Sequence, residues 1–115
     1  KTNARYLSKN IIMDVVDLIV CDVSFISMKK VIEPSLKLLN LNKGMIIGLI
    51  KPQFESEKNE LKKGGIIIDP KIHERICKDY IAWFNLNCKM KVIGITESPI
   101  KGPKGNVEFL IFAKR

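Results

Sequence analysis

The chain has few of the residues from which disulfide scaffolds, zinc sites or membrane spans are made. Its three cysteines, Cys21, Cys77 and Cys88, form no close pair and leave an odd count. That argues against a disulfide framework and against zinc ligands, and makes a reducing cytosol the simplest setting. The single histidine, His73, reads as a surface residue. No apolar run approaches the roughly 18 residues that a span needs, because Asp17, Asp22, Lys51 and Asp69 interrupt the candidates. A secretory signal pattern, an internal repeat, a low-complexity tract and a dividing linker are likewise missing. Acids are outnumbered, 12 Asp and Glu against 20 Lys and Arg, for a net charge of +8. This favours a polyanionic partner such as nucleic acid, although AT-rich coding also raises Ile, Lys and Asn together.

What is present is enough for one modest globular domain, with 46% hydrophobic residues among 115. The opening residues, Lys1 to Asn10, are polar and without a clear period, and read as a loop continuing from a longer protein. The apolar, β-branched stretch from Asp17 to Asp22 predicts a first strand. A helix from about Met28 to Leu41 follows, with Ser27 as its cap, an apolar stripe of Met28, Val31, Ile32, Leu36 and Leu39, and a kink or delay at Pro34. Met45 to Ile50, bounded by Gly44 and Pro52, has the pattern of a strand buried on both faces. Ser56 to Lys63 reads as a mobile loop or a short exposed helix, and Ile66 to Ile68 is short for a strand. Asp69-Pro70 is a helix start, with Asp as N-cap; the stripe expected after it is Ile72, Ile76, Tyr80, Ile81 and Phe84, with His73, Glu74 and Lys78 turned away. Met90 to Thr96 and Asn106 to Ala113 predict two further strands, joined by a Pro- and Gly-rich loop from Ser98 to Gly105.

Right-handed crossovers make the first three strands parallel, while the helix-free link makes the fourth antiparallel. Pro52 biases Lys51 towards extended backbone, so Lys51 ends the second strand as Asp22 ends the first. If the fourth strand inserts beside the second, Glu108 joins them at one sheet edge. At about 4.8 Å between strands, the three side chains then lie within roughly 10 Å. Open α/β sheets place their chemistry at such carboxyl edges. Taken singly, Lys51 reads as a solvated strand end, and the other two residues reverse that reading.

Four segments carry a family resemblance: CDVSFIS from Cys21 to Ser27, IKPQFE from Ile50 to Glu55, SPI from Ser98 to Ile100, and GNVEFL from Gly105 to Leu110. In order and spacing they resemble the TlyA family, whose members carry the names haemolysin A and FtsJ-like ribosomal RNA methyltransferase. The resemblance implies an α/β fold: the carboxyl-terminal half of a Rossmann-like, S-adenosylmethionine-dependent methyltransferase. Its sheet is mostly parallel with an inserted antiparallel last strand, and residues 1–115 form one unit. It also implies a Lys-Asp-Lys-Glu tetrad for ribose 2′-O-methylation, of which Asp22, Lys51 and Glu108 match the last three members. The first lysine, the Gly-rich cofactor loop and the small RNA-binding domain of the family have no counterpart here. The same pattern places Asn3 where it would face the adenine of the cofactor, with Asp22 helping to offset the sulfonium charge.

The implied reaction is attack of a ribose 2′-hydroxyl on the cofactor methyl group, with Lys51 as the proton acceptor. Burial disfavours a charged lysine while neighbouring carboxylates favour it, so these effects compete at such a site. Ribosomal RNA is the expected partner, with Lys62, Lys63, Lys101 and Lys104 on its phosphates and Phe25 against a base or in the core. Asp22-Val-Ser-Phe25 is also similar to the Asp-Pro-Pro-aromatic motif of base amino-group methyltransferases, departing from it at both prolines. Two other readings stand beside the enzyme. One is a non-catalytic module for RNA binding or self-association, the homo-oligomer forming through an exposed sheet edge. The other is membrane damage, which neither a span nor a strongly amphipathic cationic helix supports.

Overall fold

The computed structural model describes residues 16–24, 26–62 and 65–115. Asn3, Phe25 and Lys63 lie outside them. Among the described residues, the apolar stretch between Asp17 and Asp22 forms β1, Leu18–Cys21. The run bounded by Gly44 and Pro52 forms β2, Met45–Ile50. Farther on, β3 spans Lys91–Glu97 and β4 spans Phe109–Lys114. The sheet order is β1-β2-β4-β3. β1 and β2 pair in parallel, from Leu18 opposite Met45 to Cys21 opposite Gly48. β4 runs antiparallel to β2, from Met45 opposite Lys114 to Ile50 opposite Phe109, and antiparallel to β3 on its other side. The last strand is therefore inserted and reversed, as expected. β1, β2 and β3 share one direction, yet the inserted strand leaves β1 with β2 as the parallel pairing among the described strands.

Period-2 alternation sends Cys21, Ile46, Ile50, Ile111 and Ala113 to one face, where they form a core with Met28, Val31, Ile32, Ile76, Tyr80 and Phe84. Burying a large apolar side chain of this kind contributes about 1.5–3 kcal/mol. Gly48 sits in the middle of β2 because Met28 lies directly on it; a Cβ there would come within 2.8 Å of Met28 Cε. The opposite face is half-buried along β2 and open on β1, where Val20 is 70% exposed.

The first helix is shorter than its apolar stripe suggested. α1 spans Lys29–Ser35 and tightens into a 3-10 turn at Leu36–Leu38, with Pro34 inside its last turn. Proline cannot donate the interior hydrogen bond. Leu39 then turns extended and forms a parallel bridge with Val16, which ends the helix before Leu41. The expected cap also differs: Met28 occupies the N-cap position, and Ser27 Oγ accepts from Lys29 N at 3.3 Å.

α2, Pro70–Asn87, starts where expected, with Asp69 Oδ1 accepting from Lys71 N at 2.9 Å. Its buried stripe is Ile76, Tyr80 and Phe84, at four-residue spacing; Ile81 is exposed, one residue off that line. His73 does not point away from the molecule as expected. Its Nε2 meets the Ile67 carbonyl at 3.1 Å, and its ring packs edge-on against Phe109 with centroids 5.6 Å apart. The charged connection before α2 is tied down by a 3-10 turn at Lys58–Glu60, a two-pronged contact from Arg75 to Glu60 at 2.5 and 2.8 Å, and a bridge between Lys62 and Ile66.

Candidate active site

Three chain segments converge at the end of the sheet where β1 and β2 finish and β4 begins. Asp22 follows β1, Lys51 follows β2, and Glu108 immediately precedes β4. The pleat, carried one residue past each strand, puts all three on the face that α1 and α2 leave uncovered. Lys51 Nζ lies 2.6 Å from Asp22 Oδ1 and donates to Ser24 Oγ at 3.0 Å. The lysine side chain is only 12% exposed, whereas that of Asp22 is 63% exposed. The pair is thus built from a sheltered amine and an open carboxylate, which can meet a ligand from the solvent side.

Glu108 stands at the start of the last strand as expected, immediately before Phe109, and its side chain is buried. Among the described residues no ion pair joins it to Lys51. Its Oε2 accepts from Gln53 Nε2 at 3.0 Å instead. Two of the three residues therefore touch, and the third reaches the second through the turn that follows it.

That turn is the part of the site that reading residue types one by one missed. Pro52–Phe54 form a 3-10 turn, closed by hydrogen bonds from Phe54 N to Lys51 O and from Glu55 N to Pro52 O. Gln53 points towards Glu108, while Glu55 reaches the opposite way. Glu55 Oε2 accepts from the Tyr80 hydroxyl at 2.5 Å and from Met28 N at 3.3 Å, and the same hydroxyl lies 3.3 Å from Ser27 Oγ. Tyr80 of α2 thus joins the CDVSFIS and IKPQFE segments. Burial, then the charge and hydrogen bond of Glu55, push the Tyr80 hydroxyl pKa well above its ordinary value. Burial, with help from the charge of Asp22 and against that of Lys51, pushes the Cys21 thiol up to about 11. The signal for Gln53 and Glu55 was their place inside the IKPQFE segment; periodicity assigns them no role.

Of the expected RNA-contact residues within the described chain, Lys62, Lys101 and Lys104 are all exposed. Lys104 adopts a left-handed backbone, φ 61°, in the loop that leads into Glu108. Among the described residues no helix is long and apolar enough to cross a membrane.

The profile of the FtsJ-like methyltransferase family matches residues 1–115. The chain is 43% identical over 109 residues to Hemolysin A of Brachyspira hyodysenteriae, covering 94% of this chain and 45% of that protein. It is 34% identical over 120 residues to the 16S/23S rRNA (cytidine-2′-O)-methyltransferase TlyA of Mycobacterium tuberculosis, covering 99% and 42% respectively. A crystal structure from Lactococcus lactis, described provisionally as that of a hemolysin, superposes with a TM-score of 0.89 at 35% identity, over 98% of this chain and 53% of that one. The chain spans less than half the length of these two curated relatives.

Proposed function

The chain belongs to the FtsJ-like methyltransferase family, and from that premise we propose that it is the carboxyl-terminal part of an enzyme that methylates a ribose 2′-hydroxyl of ribosomal RNA, with S-adenosylmethionine as donor. The observation that carries the proposal is the sheltered Lys51 amine, 2.6 Å from Asp22 at the carboxyl edge of the sheet. The matched relative named for cytidine-2′-O methylation of rRNA supports the choice of ribose and of ribosomal RNA.

The reaction needs a proton acceptor beside the attacking hydroxyl, because the oxygen becomes a good nucleophile only as its proton leaves. Lys51 Nζ, at the sheet edge beside Asp22, is the group that would take that proton. Asp22 and Ser24 hold the nitrogen in place. S-adenosylmethionine would supply the methyl group on a positively charged sulfur, and the exposed carboxylate of Asp22 fits the task of offsetting that charge. Asn3, outside the described residues, is our candidate for the adenine end. The exposed Lys62, Lys101 and Lys104 suit contacts with RNA phosphates, and we extend that role to Lys63.

The test is methyl transfer by the full-length protein and its Lys51→Met variant. Loss of a positioned acid–base group lowers kcat by about 10²–10⁴-fold, and the methylated RNA should contain a nuclease-resistant linkage. An unchanged rate in the variant removes Lys51 from the mechanism, and a modified base in place of the linkage points to amino-group chemistry. With less than half of the relatives' length present, this chain alone is expected to be inactive. Titration with S-adenosylmethionine beside the full-length protein checks that, tight binding by the chain alone being the contrary result.

A further inference from the structure

The geometry points to Gln53 and Gly102 as a two-sided clamp that positions Glu108 and keeps its carboxylate off Lys51. The inference rests on the ribose-methyltransferase reading and adds to it residues that hold the carboxylate in place.

On one side stands Gln53, 9% exposed, in the turn that Pro52 begins. Its Nε2 donates to Glu108 Oε2 at 3.0 Å, while its Oε1 is buried with no hydrogen-bond partner among the described residues. A buried amide oxygen left unpaired is unfavourable. The amide keeps this orientation because its opposite setting would turn the carbonyl oxygen towards a carboxylate, which only accepts. Gln53 is thus oriented by Glu108, at a cost to its own hydrogen bonding.

On the other side lies Gly102, in the loop between β3 and β4. A Cβ at this position would stand 2.7 Å from Glu108 Cδ and nearer still to Oε2. Its backbone is not in the left-handed region, where Gly65 and Gly105 lie. A side chain here would therefore have to displace the Glu108 carboxylate, and the constraint comes from that carboxylate and not from the backbone conformation. The hydrogen bond from Gly102 N to the Asn106 carbonyl, at 2.8 Å, holds the loop against the strand it precedes.

The clamp has a chemical consequence. Lys51 and Glu108 flank one another at adjoining strand ends, since Ile50 pairs with Phe109. Without restraint, an ammonium and a carboxylate so placed would pair directly. Held by Gln53, Glu108 stays out of that pairing and Lys51 stays with Asp22. The carboxylate is then held buried beside the lysine instead of being paired with it.

The experiment compares full-length protein with the Gln53→Met, Gly102→Ala, Glu108→Gln and Glu108→Ala variants, each checked for folding by circular dichroism. Met fills similar space without the donor. It should lower kcat by about tenfold to a hundredfold, the range expected for slight misplacement of a reacting group, with KM for RNA and the dissociation constant for S-adenosylmethionine within twofold of wild type. Gly102→Ala should produce the same split from the opposite side. Its loss of thermal stability should vanish when Glu108→Ala is added, because the clash disappears with the carboxylate; this second readout does not depend on activity. Loss of activity in Glu108→Gln together with wild-type kcat in both Gln53→Met and Gly102→Ala overturns the clamp alone. Independent stability effects of Gly102→Ala and Glu108→Ala also overturn it. Full activity in Lys51→Met and Glu108→Gln overturns the methyltransferase reading, and the clamp with it.

Discussion

Replacing Tyr80 by Phe should destabilise the protein at neutral pH and do so much less in alkali. The Tyr80 side chain is 1% exposed, and its hydroxyl donates to Glu55 Oε2 at 2.5 Å. A hydrogen bond to a charged acceptor contributes about 1.5–3 kcal/mol, so the variant should lose about 2 kcal/mol at pH 8. The folded protein holds the phenol proton far more tightly than the unfolded chain, because burial and Glu55 both oppose the phenolate. A raised native pKa contributes stability that is complete below the unfolded value, about 10, and falls as pH rises past it. At pH 11 the unfolded phenol is about ten-elevenths ionised, which removes roughly 1.4 kcal/mol from the wild type and nothing from the Phe variant. The gap between the two proteins should therefore shrink by about 1.4 kcal/mol between pH 8 and pH 11. The thiols of Cys21, Cys77 and Cys88, each pushed up to about 11, also weaken both proteins in alkali, and that common loss cancels in the difference. Urea unfolding can be followed by Trp83, whose ring centroid is 6.2 Å from that of Tyr80. A gap that stays constant across this pH range would refute the argument that Glu55 and burial protect the proton.

Asn106→Ala should cost about 2–4 kcal/mol in urea unfolding, since Asn106 Oδ1 accepts from Ile67 N at 3.0 Å and its Nδ2 donates to Gly65 O at 3.1 Å. A loss below about 0.5 kcal/mol would mean that the 65–67 segment finds other partners. For RNA, the double variant Lys101→Ala/Lys104→Ala should flatten the dependence of log K on log salt by about 1.4–1.8, roughly 0.7–0.9 for each phosphate no longer neutralised. An unchanged slope in filter binding would move the RNA-binding surface elsewhere.

Residue type and order reveal some of this molecule and conceal the rest. Asp69-Pro70 predicts the start of α2 because an N-cap and a first-turn proline act within one helical turn, and the structure begins the helix at Pro70. β2 is likewise legible from Met45 to Ile50, an apolar run with a proline at its exit. α1 is misjudged at its end, since the apolar stripe continues to Leu39 while that residue is taken into a bridge with Val16, 23 positions away. His73 is misjudged for a similar reason: its polarity suggests solvent, but the Ile67 carbonyl supplies an inward partner.

The candidate site divides along the same line. Sequence by itself determined that a carboxylate, a lysine and a second carboxylate stand at the ends of Asp17–Asp22 and Met45–Ile50 and at the start of the last strand, because strand ends are marked locally by charge and proline. Its motifs also determined the family, which the match over residues 1–115 bears out. Only the tertiary structure decided that Lys51 pairs with Asp22, that Glu108 is taken by Gln53, and that Gly102 lies against the Glu108 carboxylate. The physical reason is that a hydrogen bond of 3 Å or less between residues some 30 to 55 positions apart depends on strand order and register. Neither is encoded in any local stretch of the chain; both follow from how the sheet packs against α1 and α2.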